Sequence, residues 1–171
     1  MSNKAVFLDR DGVINVDHGY VYRKEDFEFV DGIFEVCRYF QQQGYLLIVV
    51  TNQSGIARGM YTEADFQELT EWMLERFREE GIEIAAVYHC PHHPKFGPVE
   101  SRNCDCRKPR PGMILQGIAD FDVKANESIM IGDKPSDREA AESAHIGETL
   151  LIESGRLPAS TITKQCKTDC P

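Results

Sequence analysis

The chain has 171 residues, 42% of them hydrophobic, enough apolar material for one substantial core, so a single domain over residues 1–171 is expected. Its formal net charge of -9, from 28 acidic against 19 basic side chains, argues against a broad nucleic-acid or acidic-lipid surface while leaving room for small anions held locally. No stretch approaches the roughly 20 apolar residues of a membrane helix, and Met1-Ser2-Asn3-Lys4 runs into a strand without a signal-peptide core, so a soluble cytoplasmic protein with no nucleic-acid or membrane partner is expected.

The first predicted strand, Ala5 to Leu8, stops on Asp9-Arg10-Asp11-Gly12. Two acids at i and i+2 leaving a buried strand repel each other and lose solvation, an arrangement that needs a cation or a proton. Gly12 lets the backbone turn tightly beside them. Ile33, Val36, Cys37 and Phe40 then repeat at i, i+3, i+4 and i+7, an amphipathic helix with Asp31 as its cap. Cys37 reads as an inert core thiol. The second strand, Tyr45 to Thr51, leads into Asn52, and a second helix follows Thr62 on Phe66, Leu69, Met73 and Phe77. Ile84 to His89 is the third strand.

Directly after it come Cys90-Pro91-His92-His93-Pro94 and then Cys104-Asp105-Cys106. With no secretory signal and a chain large enough to fold without staples, these thiols are read as metal ligands rather than disulfides. Two short ligand pairs joined by a loop of ordinary length, residues 90–106, fit a tetrahedral Cys₃His zinc held by Cys90, His92, Cys104 and Cys106, with His93 or His89 as alternatives to His92. Four protein ligands leave no open position for water, which makes the expected zinc structural. Pro111 opens a third helix. Ile129 to Gly132 is the fourth strand, followed by Asp133, and Ser136-Asp137-Arg138-Glu139 reads as a capping box for a fourth helix. Asp137 is as readily explained by that helix N-terminus as by a site. Thr149 to Ile152 is the fifth strand, and a polar tail from about 155 to 171, with Cys166 and Cys170, is assigned no role.

All five strands are continuous and apolar enough to be buried on both faces, the pattern of a parallel sheet, and their alternation with helices gives an open α/β sheet covered by helices on both faces. Ligands in such folds bind beyond the C-terminal strand ends, where Asp9, Asp11, Thr51, Asn52 and Asp133 stand. The three acids suit an oxygen-rich cage for Mg²⁺ that bridges to a substrate phosphate. One carboxylate can attack phosphorus to leave an acyl-phosphate, and the other can carry the proton to and fro. A phospho-accepting signalling domain would place its acceptor after a central strand, where this chain has Thr51-Asn52-Gln53. A zinc-stabilised binding module with a degenerate site would lack a nucleophile or an acid, and neither is missing.

Four motifs in this order, "FLDRDGVIN", "VVTNQSGIARG", "RKPRPGM" and "MIGDKPSD", resemble those of the haloacid dehalogenase (HAD) superfamily of phosphohydrolases, and the resemblance runs to about residue 152. It implies a HAD-like Rossmannoid parallel sheet with Asp9 as nucleophile and Asp11 as general acid/base. Thr51 and Lys108 would stabilise the transferring phosphoryl group, and Asp9, the Asp11 backbone carbonyl and Asp133 would hold catalytic Mg²⁺. The C-x-H and C-x-C loop ahead of Arg107-Lys108 looks like that of the D-glycero-D-manno-heptose-1,7-bisphosphate 7-phosphatase family, which the histidinol-phosphate phosphatases share. The heptose resemblance implies a phosphorylated sugar substrate on the ADP- or GDP-heptose route. Its contacts would be Asp17, His18, Gly19 and Tyr20, then Thr51, Asn52, Gln53 and Ser54, and finally Arg107, Lys108 and Lys134. Histidinol phosphate is the alternative substrate. The segments before Asp31 and from Cys90 to Cys106 are too short for a large cap domain, and a monomer is expected.

Overall fold

The computed structural model describes residues 2–168, the side chains of 165–168 excepted; the Cys166 side chain and Cys170 lie outside the described residues. Five strands, β1 (Lys4–Leu8), β2 (Tyr45–Asn52), β3 (Ala86–Cys90), β4 (Ile129–Gly132) and β5 (Glu148–Leu151), form one parallel sheet in the order β3-β2-β1-β4-β5. Successive side chains of a strand point to opposite faces, and the two cores show it. Val6, Leu8, Leu47, Val49, Ile129 and Ile131 face one core, while Ala5, Phe7, Ile48, Val50 and Met130 face the other. The first core is covered by α1 (Ile33–Gln42), α2 (Glu63–Glu79) and α5 (Ala159–Thr168), the second by α3 (Gly112–Phe121) and α4 (Pro135–Ser143). Among the described residues, no helix is long and apolar enough to cross a membrane.

The helix starts follow local chemistry, with two corrections. At α2 the Thr62 hydroxyl accepts from the Asp65 N–H at 3.0 Å and the Asp65 carboxylate accepts from the Thr62 N–H at 2.9 Å, a reciprocal cap. The cap of α1 is Gly32, not Asp31: its φ of 88° turns the chain in the left-handed region, and a Cβ there would stand 2.7 Å from the Cβ of Ala159. At α4 the expected Ser136 box does not form. The helix begins at Pro135, and Asp137 folds back to accept the Asp133 and Lys134 N–H groups, each at 3.1 Å.

The edges and the C-terminal region also differ from expectation. β3 begins at Ala86 rather than Ile84, and both β3 and β5 are partly exposed rather than buried on both faces, because an edge strand has a neighbour on one side only. The region read as a polar tail contributes to the fold: Leu157 and Ile162 are buried in the first core, and α5 lies against α1. Polar residues on its outer face hide a two-residue apolar contact.

Register places the chemistry. Leu8 pairs with Val49 on one side and Ile131 on the other, and the Asp9 N–H still reaches the Ile131 carbonyl at 3.1 Å. Asn52 pairs with Cys90. The carboxyl ends of β1, β2, β3 and β4 thus deliver Asp9, Asn52, Cys90 and Asp133 to one edge of the sheet, beside the point where the chain reverses its direction of winding.

Candidate active site

At that edge a single ammonium is enclosed by acceptors. Lys108 Nζ donates to Asp9 Oδ1 at 2.9 Å, to Asp137 Oδ1 at 2.7 Å and to the Val50 carbonyl at 2.9 Å, which uses all three N–H groups. Burial works against its charge, but the Asp9 and Asp137 carboxylates outweigh it and hold its pKa above the ordinary lysine value. Asp9 feels the same burial, which pushes its carboxyl up to about 8 against the pull of Lys108, with Asp137 and Asp11 adding to the rise.

Asp9, Asp133 and Asp137 bring carboxylate oxygens within 4.8 Å of one another, three acids against one ammonium. They are not equivalent. Asp137 is saturated by Lys108 on one oxygen and by two backbone N–H groups on the other. Asp133 Oδ1 is buried with no hydrogen-bond partner, a state that costs free energy unless a cation supplies the missing partner. The donor set, hard oxygens with a net negative excess, suits a divalent cation. Gly12 makes room for the Asp133 carboxylate: at φ 95° it brings the backbone so close that a Cβ would stand 2.1 Å from Asp133 Oδ2.

Asp11 points elsewhere. Its Oδ1 accepts from Arg10 Nη2 at 2.9 Å and Asn15 Nδ2 at 3.0 Å, and its Oδ2 accepts from Gln53 Nε2 at 3.0 Å. The Gln53 amide is itself fixed, donating to Thr51 Oγ1 at 2.9 Å and accepting from the Tyr61 hydroxyl. Beside it on the strand, Asn52 is a clamp: it accepts from the Lys108 N–H at 3.0 Å and donates to the Lys108 carbonyl at 3.2 Å.

A cleft of about 570 Å³ opens over this arrangement, and Asp11, Asp17, Gly19, Tyr20, Asn52, Gln53, Ser54, Arg107, Lys108 and Lys134 line it. Thr51 is fully buried beneath, its hydroxyl facing the Asn52 carbonyl at 3.4 Å. His18 is not brought in; its ring pairs with Glu28 at 2.8 Å on the outside of the loop.

The second cluster assembles as spaced in the sequence. Ligand atoms of Cys90, His92, Cys104 and Cys106 lie within 4.8 Å of one another, the histidine through Nδ1. Neither alternative histidine joins them: His89 pairs with Glu63 at 2.8 Å, and His93 Nδ1 accepts from the Lys95 N–H. Burial raises the Cys104 thiol, yet hydrogen bonds from His92, the Arg107 backbone and the other two thiols win and bring it down to about 6. Burial instead raises the Cys90 and Cys106 thiols, so three sulfurs and an imidazole crowd together with one thiolate among them, a donor set and spacing that fit a metal ion. The loop is tied to the cleft: Arg107 Nη1 donates to the His92 carbonyl at 3.2 Å, and Arg110 Nη2 donates to Asn103 Oδ1 at 2.6 Å.

Sequence reasoning gives no role to Arg10, Asn15 or Tyr61, nor to the ion pair of Asp137. For Asp137 a signal exists, since it falls in the first turn of α4 directly after Asp133, where its carboxylate can fold back onto the Asp133 N–H. Arg10 stands between two acids in sequence and is nearly fully buried; its Nη2 pairs with Asp11 and the Val21 carbonyl, while Asp9 takes Lys108. Nothing marks Tyr61 beforehand.

Known proteins resemble this chain closely. A family model described as HAD-hydrolase-like matches residues 105–169. A D-glycero-beta-D-manno-heptose-1,7-bisphosphate 7-phosphatase of Vibrio cholerae is 49% identical over 91% of this chain and 84% of its own. A D-glycero-alpha-D-manno-heptose-1,7-bisphosphate 7-phosphatase of Campylobacter jejuni is 52% identical over 89% of this chain and 84% of its own. The crystal structure of D,D-heptose 1,7-bisphosphate phosphatase from B. bronchiseptica, complexed with magnesium and phosphate, superimposes with a TM-score of 0.83 at 26% identity, covering 98% of this chain and 99% of the other.

The contact at Gly12 can be tested directly. Gly12→Ala drives a Cβ into Asp133 and should weaken divalent-cation binding by about 10–100-fold in calorimetric titration, the range seen when a ligand's support is disturbed. Unchanged affinity in a folded variant would remove Asp133 from the cation site.

Proposed function

Since the chain belongs to the D-glycero-D-manno-heptose-1,7-bisphosphate 7-phosphatase family of HAD-like hydrolases, we propose that it removes the C7 phosphate of D-glycero-D-manno-heptose 1,7-bisphosphate through a phosphorylated Asp9. The observation that carries this mechanism is the buried Asp9–Lys108–Asp137 arrangement beside the unpartnered Asp133 oxygen, all at the carboxyl ends of parallel strands. Mg²⁺ would be held by Asp9, the Asp11 backbone carbonyl and Asp133, and when bound it supplies positive charge that keeps Asp9 ionised and offsets charge on the phosphoryl group.

The chain's own residues divide the work. Asp9 attacks phosphorus and forms an acyl-phosphate, splitting hydrolysis into two steps. Asp11 gives a proton to the leaving C7 oxygen and then takes one from the water that cleaves the intermediate. Its Oδ2 accepts a single hydrogen bond, from Gln53, and so keeps a lone pair for that proton. Lys108, its three N–H groups held by Asp9, Asp137 and Val50, contributes positive charge beside the phosphoryl oxygens of a loose transition state, and Thr51 supplies a neutral donor when it turns from the Asn52 carbonyl. Arg107 and Lys134, on the cleft wall, take the C1 phosphate, and Asp17, Gly19, Tyr20 and Ser54 contact the sugar. Zinc at Cys90, His92, Cys104 and Cys106 is structural. It fixes the backbone of Cys106 and, through the next two residues, the roots of Arg107 and Lys108, which is preorganisation rather than chemistry.

Two outcomes are expected. In a panel of sugar mono- and bisphosphates with histidinol phosphate, kcat/KM should be highest for the heptose bisphosphate. Arg107→Ala should cost it about tenfold more than it costs a monophosphate, because only the bisphosphate loses a remote, charge-assisted contact. Preference for histidinol phosphate, or equal losses on both substrates, would overturn this reading. Protein purified without chelators should hold about one Zn²⁺ per chain by elemental analysis, and Cys104→Ser should lose it together with stability and activity; a zinc-free, fully active preparation would contradict the structural role.

A further inference from the structure

Beside Tyr20 of the cleft lining stands a group that the proposed reaction leaves unused. Arg58 is exposed, and its guanidinium carbon lies 4.4 Å from the ring centre of Phe96 and 5.8 Å from that of Tyr20, both within the roughly 6 Å reach of cation–π attraction. Tyr20 and Phe96 are each 41% exposed, two large rings left partly in water with one cation against both.

The rings belong to different loops. Phe96 sits in the loop of the Cys/His cluster, where the His93 ring packs on it at 4.9 Å and Arg102 Nε holds the next carbonyl, that of Gly97, at 3.1 Å. Gly97 also lies against the Arg58 loop, with the Ala57 Cβ 3.4 Å from where its own Cβ would stand. Tyr20 lines the cleft. Its backbone is in the left-handed region at φ 52°, where a bulky residue is held only by its surroundings. One wall of that support is Gly55, since a Cβ there would stand 3.0 Å from the Tyr20 ring. The other is Arg58.

We propose that the Tyr20–Arg58–Phe96 stack is a clasp through which the metal-binding loop positions the substrate loop around residues 17–20, making Arg58 and Phe96 positioning residues for sugar binding. The inference rests on the reading of that loop as a substrate contact. It gives the Cys/His loop a second task beside anchoring Arg107 and Lys108. It also explains an arginine at this position, because a planar guanidinium can stack on two rings whereas an ammonium offers charge without a plane.

The test measures hydrogen exchange in the full-length protein with its metal, comparing wild type with Arg58→Ala, Arg58→Lys and Phe96→Ala, alongside KM and kcat for the heptose bisphosphate. Amides of residues 17–22 should exchange about tenfold faster in all three variants, and KM should rise by a similar factor while kcat stays within about twofold. Unchanged exchange in Arg58→Ala and Phe96→Ala would overturn the clasp. So would an Arg58→Lys protein that behaves as wild type, which would show that charge alone acts there. Faster exchange with an unchanged KM would overturn the positioning role. Exchange needs no substrate, so a wild type inactive on the bisphosphate would defeat the proposed function, while the exchange rates would still decide for or against the clasp.

Discussion

The structure of the site depends on the burial of the Lys108 ammonium between Asp9 and Asp137. A buried lysine is tolerable only when its charge and all its donors are matched, and here the matching groups come from the ends of three strands: Asp9 beyond β1, the Val50 carbonyl on β2, and Asp137 one turn past β4. Taking away one partner of such a buried pair typically costs about 3–5 kcal/mol, because the survivor is left uncompensated. Lys108 therefore joins the strand ends. It also leaves the centre short of positive charge, since Asp133 completes a group of three acids around one ammonium. That deficit, with the orphaned Asp133 oxygen, is the physical reason to expect a divalent cation.

Placing Lys108 is itself a problem, because it stands in a loop between β3 and α3 and not on a regular element. Three devices solve it. The Cys/His cluster ends at Cys106, two residues upstream; the Asn52 amide grips the Lys108 backbone on both sides; and α3 starts so close to the cluster that a Cβ on Gly112 would stand 2.3 Å from the Asp105 carbonyl. Hence the soft-donor loop and the hard-donor cage are parts of one apparatus, the first holding the cation that the second needs. Through Arg58, Phe96 of the same loop also reaches Tyr20 in the cleft lining.

Much of this is legible in the sequence, for identifiable reasons. Central strands such as "YLLIVVT" read as buried, and acids at the ends of neighbouring strands, Asp9 and Asp133, point to a cation, whereas the Asp11 side chain that the sequence groups with them is matched by Arg10. The cysteine and histidine spacing carries over to space almost unchanged, since Cys90 ends β3 and His92, Cys104 and Cys106 lie in the loop that follows it. What escapes depends on contacts distant in sequence. Asp137 looks like a helix cap, and it is one, but its second oxygen belongs to Lys108, 29 residues away. Gly32 replaces Asp31 as a cap because α5 needs the space a side chain would fill. Asn52 and Gln53, substrate contacts by the motif, line the cleft, and what the motif does not reveal is that their amides also engage Lys108, Asp11, Thr51 and Tyr61. His18 turns outward to Glu28, a local pairing that a motif cannot reveal.

The central claim is that Asp9, held by Lys108 at the end of the first strand, is the nucleophile that accepts the phosphoryl group and that the other acids serve it. Rapid acid quenching during turnover of a phosphorylated sugar, followed by peptide mass spectrometry, locates the trapped phosphoryl group. The account predicts it on Asp9 alone. Phosphate found on Asp11, Asp133, Asp137 or any other side chain would contradict it.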